Sequence, residues 1–177
     1  MKEKIDIKCR NIIDIGSNSI HWIDLAYFLT GRLIDINDIF TVNIKNLYES
    51  KRIGYHDFFG SIKIQSKLFN LEIESTDGEI TDEEITIESN NLYIHIKESK
   101  SYCYIKKNSY ENNEIFDIPY QSQLTSKYLK NFDKGKINLT TFKDSFLMHK
   151  KFFMAFEDSI YKMNNSKLQI ENKYFLT

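Results

Sequence analysis

Asp14-Ile15-Gly16-Ser17-Asn18-Ser19-Ile20-His21-Trp22-Ile23-Asp24-Leu25 is a polar turn that runs straight into an apolar helix, which the pattern extends from Ile20 to Thr30. That helix is apolar on almost every side, so it is expected to be buried. His21 and Asp24 nevertheless sit inside it, three residues apart and therefore neighbours on one face. A buried imidazole and a buried carboxylate are costly unless they are paired or used. Either the two satisfy each other, or the helix carries them to the floor of a site. Ser17, Asn18 or Ser19 is expected to cap the helix by accepting from its orphan amides. Gly31 follows as a left-handed stop.

Working outward, Lys4 to Cys9 alternates and reads as a short strand ahead of the helix. A long β region comes after it. Phe40 to Lys45, Phe59 to Gln65, Leu71 to Glu74, Glu84 to Ile87, Leu92 to Ile96 and Tyr102 to Ile105 all alternate. Asp77-Gly78 and Asn90-Asn91 stand where hairpin turns are needed. About six strands with short connections imply a largely antiparallel sheet. Polar residues interleave throughout, so one sheet face is wetter, or serves as a surface for a second copy. After Pro119 the pattern turns helical. Gln121 to Phe132 forms one helix, closed near Gly135, and Thr140 or Thr141 caps a longer one, with Asp144 as a capping-box partner. Phe142, Phe146, His149, Phe153, Phe156 and Ile160 recur at helical spacing and are expected to form its buried stripe. The whole is an α+β fold: an open, mostly antiparallel sheet of about six strands with helices packed on one face.

With 177 residues the chain is expected to be one domain spanning 1–177. Hydrophobic residues make up 41% of it, enough to fill a core. A net charge of -1, with Lys interspersed among Asp and Glu, gives no footprint for nucleic acid or an anionic membrane. No apolar run approaches a membrane span, and the N-terminus lacks a signal-peptide segment. Cys9 and Cys103 are too few and too far apart for a disulfide framework or a zinc site, which makes a reducing cytoplasm the simplest home. His56 and His95 have no neighbour at metal-ligand spacing, so no metal site is expected.

Three segments resemble the C-terminal domain of the Gfo/Idh/MocA (glucose–fructose oxidoreductase/inositol dehydrogenase) family. Gly16 through Leu25, with Leu29-Thr30-Gly31, resembles the family helix in which a His precedes an Asp by three residues and a Gly closes the helix. Glu49-Ser50-Lys51-Arg52-Ile53-Gly54-Tyr55 with Phe59-Gly60 resembles a strand-turn signature at the rim of the sheet. Ser122-Gln123-Leu124-Thr125, then Leu139 to Ser145 with His149, is similar to the two closing helices. Family members often carry an Asp four residues before the His and a Gly two before it; here Ser17 and Ser19 stand there, and Asn18 fits an Asn-containing variant. No Gly-x-Gly-x-x-Gly and no Glu-Lys-Pro occurs, so the isolated chain is not expected to bind a dinucleotide.

The resemblance implies a role for each candidate. His21 would be the general base on a substrate hydroxyl, work that suits an imidazole; its other reading is a core histidine satisfied by Asp24 or a carbonyl. Ser17 and Asn18 are substrate-binding groups or helix caps, and Lys51 and Arg52 hold a phosphate or carboxylate or are solvated surface. His149 is a second pocket group or a packed core residue. Two functions follow as expectations. One is the substrate-binding and oligomerisation part of an oxidoreductase acting on a sugar or sugar-nucleotide hydroxyl, with NAD or NADP held by a separate Rossmann domain. The other is a non-catalytic remnant or interaction module that dimerises through its sheet face.

Overall fold

The structure, a computed structural model, describes residues 3–10, 14–31, 33–76, 82–132, 134 and 139–164. Its elements in order are β1 (Ile5–Arg10), α1 (Ser19–Thr30), β2 (Ile39–Glu49), β3 (His56–Gln65), β4 (Phe69–Ser75), β5 (Glu84–Ser89), β6 (Leu92–Lys97), β7 (Tyr102–Lys107), β8 (Tyr110–Ile115), α2 (Gln121–Phe132) and α3 (Phe142–Asn164). The strands form one open sheet in the order β2-β3-β4-β1-β5-β6-β7-β8. It is therefore an eight-stranded sheet rather than one of six. Two antiparallel meanders, β2 to β4 and β5 to β8, are stitched together by β1, which pairs parallel to β4 and antiparallel to β5. The strand missed by alternation is β8, whose sequence Tyr-Glu-Asn-Asn-Glu-Ile has no apolar face; only its pairing with β7 makes it a strand. Asn90 and Asn91 do form the two-residue turn between β5 and β6. Asp77-Gly78 and Gly135 lie outside the described residues.

Alternation sorts the sheet into two faces. Ile62, Ile73, Cys9 and Ile85 stand in register across four strands, as do Ile64, Leu71, Ile7 and Ile87, and all eight are buried. Each such aliphatic side chain contributes roughly 1.5–3 kcal/mol on leaving water. The opposite face is polar and laced with ion pairs: Lys63–Glu72 at 2.6 Å, Glu84–Lys97 at 2.6 Å and Arg10–Glu74 at 3.5 Å. The Lys97 ammonium holds the Glu84 carboxyl below the usual range.

Of the helices, α1 and α3 cover the apolar face at the β2–β4 side, while α2 is largely exposed. Met148, Phe152, Phe156 and Ile160 form the buried stripe of α3, with Phe156 edge-on to Phe58 at 5.0 Å between ring centroids. This corrects the expected stripe by part of a turn. Phe156 and Ile160 belong to it, but Phe142, Phe146 and Phe153 are exposed. Thr141 caps α3 as expected, accepting from the Asp144 amide at 3.2 Å. Lys151 fixes the segment before β2 by donating to the carbonyls of Asp35, Ile36 and Asp38 at 2.6, 2.8 and 2.9 Å. Toward the far end of α3, the Ser159 hydroxyl accepts from the Ile44 amide at 3.2 Å, where the register of β2 shifts. Among the described residues no helix is long and apolar enough to cross a membrane.

Candidate functional site

Asp14 builds the start of α1. Its carboxylate accepts four hydrogen bonds: from the amides of Gly16 at 3.0 Å, Ser17 at 2.8 Å and Phe58 at 2.8 Å, and from the Ser17 hydroxyl at 2.7 Å. The Ile15 amide completes the seam by donating to the Phe58 carbonyl at 3.0 Å. Asp14 is only 3% exposed, and every oxygen it carries is used. It therefore both closes the turn and ties it to β3. The cap expected of Ser17, Asn18 or Ser19 is not made that way, and the buried Ser19 hydroxyl has no partner among the described residues. The Ser17 hydroxyl is spent on Asp14, and Asn18 stands at the N-cap without a side-chain cap bond. Sequence reasoning passed over Asp14 itself, although Asp-x-Gly-Ser carries the signal of an Asx turn.

From that turn α1 runs back along β4, so that Tyr27 meets Phe69 edge-on at 5.0 Å. Ile23, Ala26 and Tyr27 bury its inner side, and Gly31 ends it with a left-handed φ of 59°. Its outer side is not buried, contrary to the expectation. His21, Phe28 and Leu29 are exposed. A helix that is apolar all round has here been left with an uncovered stripe, and His21 lies on it. His21 and Asp24 do not pair: Asp24 accepts from the Thr140 hydroxyl, which latches α1 to the approach of α3.

The remaining candidates divide by location. The β2–β3 hairpin, residues 50–55, projects past Phe58 at the end of the sheet where α1 begins. It is closed by the Ser50 amide donating to the Tyr55 carbonyl at 2.9 Å and carries Lys51 and Arg52 exposed. Ser17, Asn18, His21, Lys51 and Arg52 are thus gathered at one end of the sheet. His149 is not with them. It lies on α3 with Nδ1 2.8 Å from the Ser145 carbonyl and its ring 5.9 Å from that of Phe153. That geometry is of a histidine satisfied within its own helix. Burial pushes the Cys9 thiol up to about 12, with Glu83 and Glu98 adding to the effect, so it stays an unreactive thiol.

No protein-family model and no curated protein matches the sequence. Solved structures match the fold. A Gfo/Idh/MocA family oxidoreductase from Vibrio cholerae superposes with a TM-score of 0.54 at 13% identity, covering 93% of this chain and 54% of that one. The chain carries the fold of the Gfo/Idh/MocA C-terminal domain. UDP-N-acetylglucosamine 3-dehydrogenase GnnA from Acidithiobacillus ferrooxidans gives 0.54 at 11% identity, over 90% of this chain and 53% of that one. The super-repressor mutant of Gal80p from Saccharomyces cerevisiae gives 0.58 at 11% identity, over 95% and 60%. This chain therefore spans about half the length of the solved structures it matches, consistent with the Gfo/Idh/MocA C-terminal domain alone.

Proposed function

We propose that this chain is the substrate-binding and oligomerisation part of an NAD(P)-linked oxidoreductase acting on a sugar or sugar-nucleotide hydroxyl. The observation that carries the reading is the fold shared with oxidoreductases nearly twice as long, together with an imidazole left uncovered at the start of α1. One of those relatives is named for a sugar-nucleotide substrate. The residues here do not fit a dinucleotide. Gly16 serves the Asp14 turn, Gly31 ends α1, Gly54 turns the hairpin with a φ of 84° and Gly60 lies under β2. Gly16 alone stands between β1 and α1, and it lacks the companion glycines of a pyrophosphate-binding run. The nicotinamide would be held by another domain and would supply the hydride chemistry. This chain would supply position and proton movement: His21 takes the proton of the substrate hydroxyl, Asn18 and Ser17 border it, and Lys51 with Arg52 neutralises an anionic substituent. A covering domain would exclude water from the exposed stripe of α1. The free thiols of Cys9 and Cys103 accord with a reducing cytoplasm.

Association of two copies through the polar sheet face is part of the same proposal. Tyr93, Tyr102 and Tyr104 stand on that face among paired charges, with Tyr93 and Tyr104 6.0 Å apart between ring centroids. Tyr is enriched at interfaces, and the paired charges around these three would lie at a polar rim. In the assembled enzyme, His21→Ala is expected to lower kcat by roughly 10²- to 10⁴-fold, the usual contribution of a general base, with the chain still folded. Unaltered turnover in that variant would remove the catalytic role.

A second reading is a non-catalytic interaction module of the same fold. It is favoured by the solvent-facing position of His21 and by a repressor variant among the fold's members. Full sugar-dependent turnover by the assembled pair would exclude it.

A further inference from the structure

α3 carries more apolar surface than the sheet takes from it. Met148, Phe152, Phe156 and Ile160 are buried. Yet Phe142, Phe146, Leu147, Phe153, Met154 and Tyr161 stay 37% to 87% exposed on the same 23-residue helix. These six fall in two rows. One runs through Phe142, Phe146 and Phe153, and the other repeats every seven residues through Leu147, Met154 and Tyr161. Lys143, Lys150 and Glu157 are exposed as well, and they too are spaced by seven. Each of the three stands three or four residues from a member of both rows, so the charged file lies between them. The outer side of α3 is therefore a line of charges with an apolar row on either flank.

A repeat of seven is the period with which helices pair along their length. The charges decide the direction. Parallel pairing of two α3 helices would set Lys143, Lys150 and Glu157 each against its own counterpart, like charge on like charge. Antiparallel pairing about a twofold axis between Phe153 and Met154 sets Lys150 of one copy opposite Glu157 of the other, twice by symmetry. The same axis brings Phe153 to Phe153, Met154 to Met154 and Leu147 to Tyr161, so both apolar rows meet themselves. The amount of surface is also adequate. At roughly 200 Å² for a fully exposed large side chain, the six leave about 700 Å² of apolar surface per copy. A standard stable interface takes roughly 800 Å² from each partner.

We propose that the outer side of α3 binds a second copy of this chain, helix against helix and antiparallel. The surface lies on the helix side of the sheet, away from the polar sheet face, and the proposal is independent of the oxidoreductase reading. Its test is sedimentation equilibrium of the full chain and of variants at exposed positions. The parent is expected to self-associate at or below about 100 µM. Met154→Glu places two carboxylates together at the twofold axis and is expected to weaken that step at least about 100-fold. Lys150→Glu alone and Glu157→Lys alone should each weaken it at least about tenfold. The two exchanged together in one chain should return to within about threefold of the parent, because the attraction is restored with its sign reversed. Unchanged helical circular dichroism reports an intact fold, and should Met154→Glu lose it, the charge exchange decides alone. Where the polar sheet face pairs too, the parent forms a larger assembly and these variants remove one step while leaving the other. A parent that is monomeric at about 100 µM leaves this surface to another occupant and overturns the proposal. Association indifferent to Met154→Glu, or a double exchange that fails to recover what the single ones lose, would do the same.

Discussion

Asp14→Ala is expected to destabilise the chain by about 3–5 kcal/mol, the range for breaking a buried hydrogen-bond network. The substitution leaves the Gly16 and Phe58 amides without their acceptor in a buried setting, and the Ser17 amide and hydroxyl without theirs in a partly buried one. Each unsatisfied buried donor costs about 1–3 kcal/mol, and water reaching Ser17 lowers the sum. A loss of that size is a large share of the roughly 5–15 kcal/mol that holds a domain together. The effect also has a direction. It should be felt first where the Asp14 turn is stitched to β3, so the amides of Ile15 and Phe58 should lose hydrogen-exchange protection before those of β6 and β7. Asp14→Asn retains an amide oxygen that can keep the bonds from Gly16 and Phe58, and loses only the partly buried Ser17 bonds, so it should cost less than Asp14→Ala. Urea denaturation of the three proteins measures the difference. A midpoint for Asp14→Ala equal to that of the parent would show that the carboxylate does not organise the turn.

Gly60→Ala is expected to cost about 3 kcal/mol or more, through overpacking and backbone strain together. A β-carbon at Gly60 would lie 2.0 Å from the carbonyl oxygen of Asn43 and 3.1 Å from the Ile44 α-carbon. Both obstacles are backbone, so neither can swing aside. The φ of 153° adds strain for any side chain. The close approach arises because β2 shifts register between Ile44 and Asn46, which presses its backbone onto β3 there. Relief requires β2 to move, and the Ser159 hydroxyl bond to the Ile44 amide would move with it. The variant should therefore loosen α3 against β2 as well as weaken the sheet. A crystal structure of Gly60→Ala with β2 unmoved, together with an unchanged melting temperature, would contradict the packing described.

Much of this was legible in the sequence because period-2 alternation is a direct consequence of a two-faced sheet. Ile62-Lys63-Ile64-Gln65 and Leu71-Glu72-Ile73-Glu74 can hardly be anything else, and their register pairs the charged residues outside and the aliphatic ones inside. What escaped was set by neighbours rather than by local pattern. β8 is held by the strand beside it, and its own residues have no apolar period. In α3 two adjacent rows are apolar, one through Phe142, Phe146 and Phe153 and one through Met148, Phe152 and Phe156. Helical spacing fits both; the position of β2 and Phe58 decides which row is buried. In α1 the reverse holds. The helix is apolar on more sides than this domain covers, and the surplus is the stripe that carries His21 and Phe28. The candidate residues were legible only as residue types. That Ser17, Asn18 and His21 share one end of the sheet with Lys51 and Arg52 follows from the Asp14–Phe58 seam, which joins positions 44 apart in the chain.

That uncovered stripe makes sense if a second domain completes the enzyme, and the decisive measurement is sugar-dependent NAD(P)H turnover with and without that domain. The dinucleotide-binding domain would come from the reading frame next to this one, or from a longer chain containing both. A half-enzyme predicts no turnover and no NAD(P)H binding by this chain alone, and turnover once the two parts are mixed. Tight binding of NAD(P)H by the isolated chain, or a mixed pair that stays inactive on sugars and sugar nucleotides alike, would contradict it.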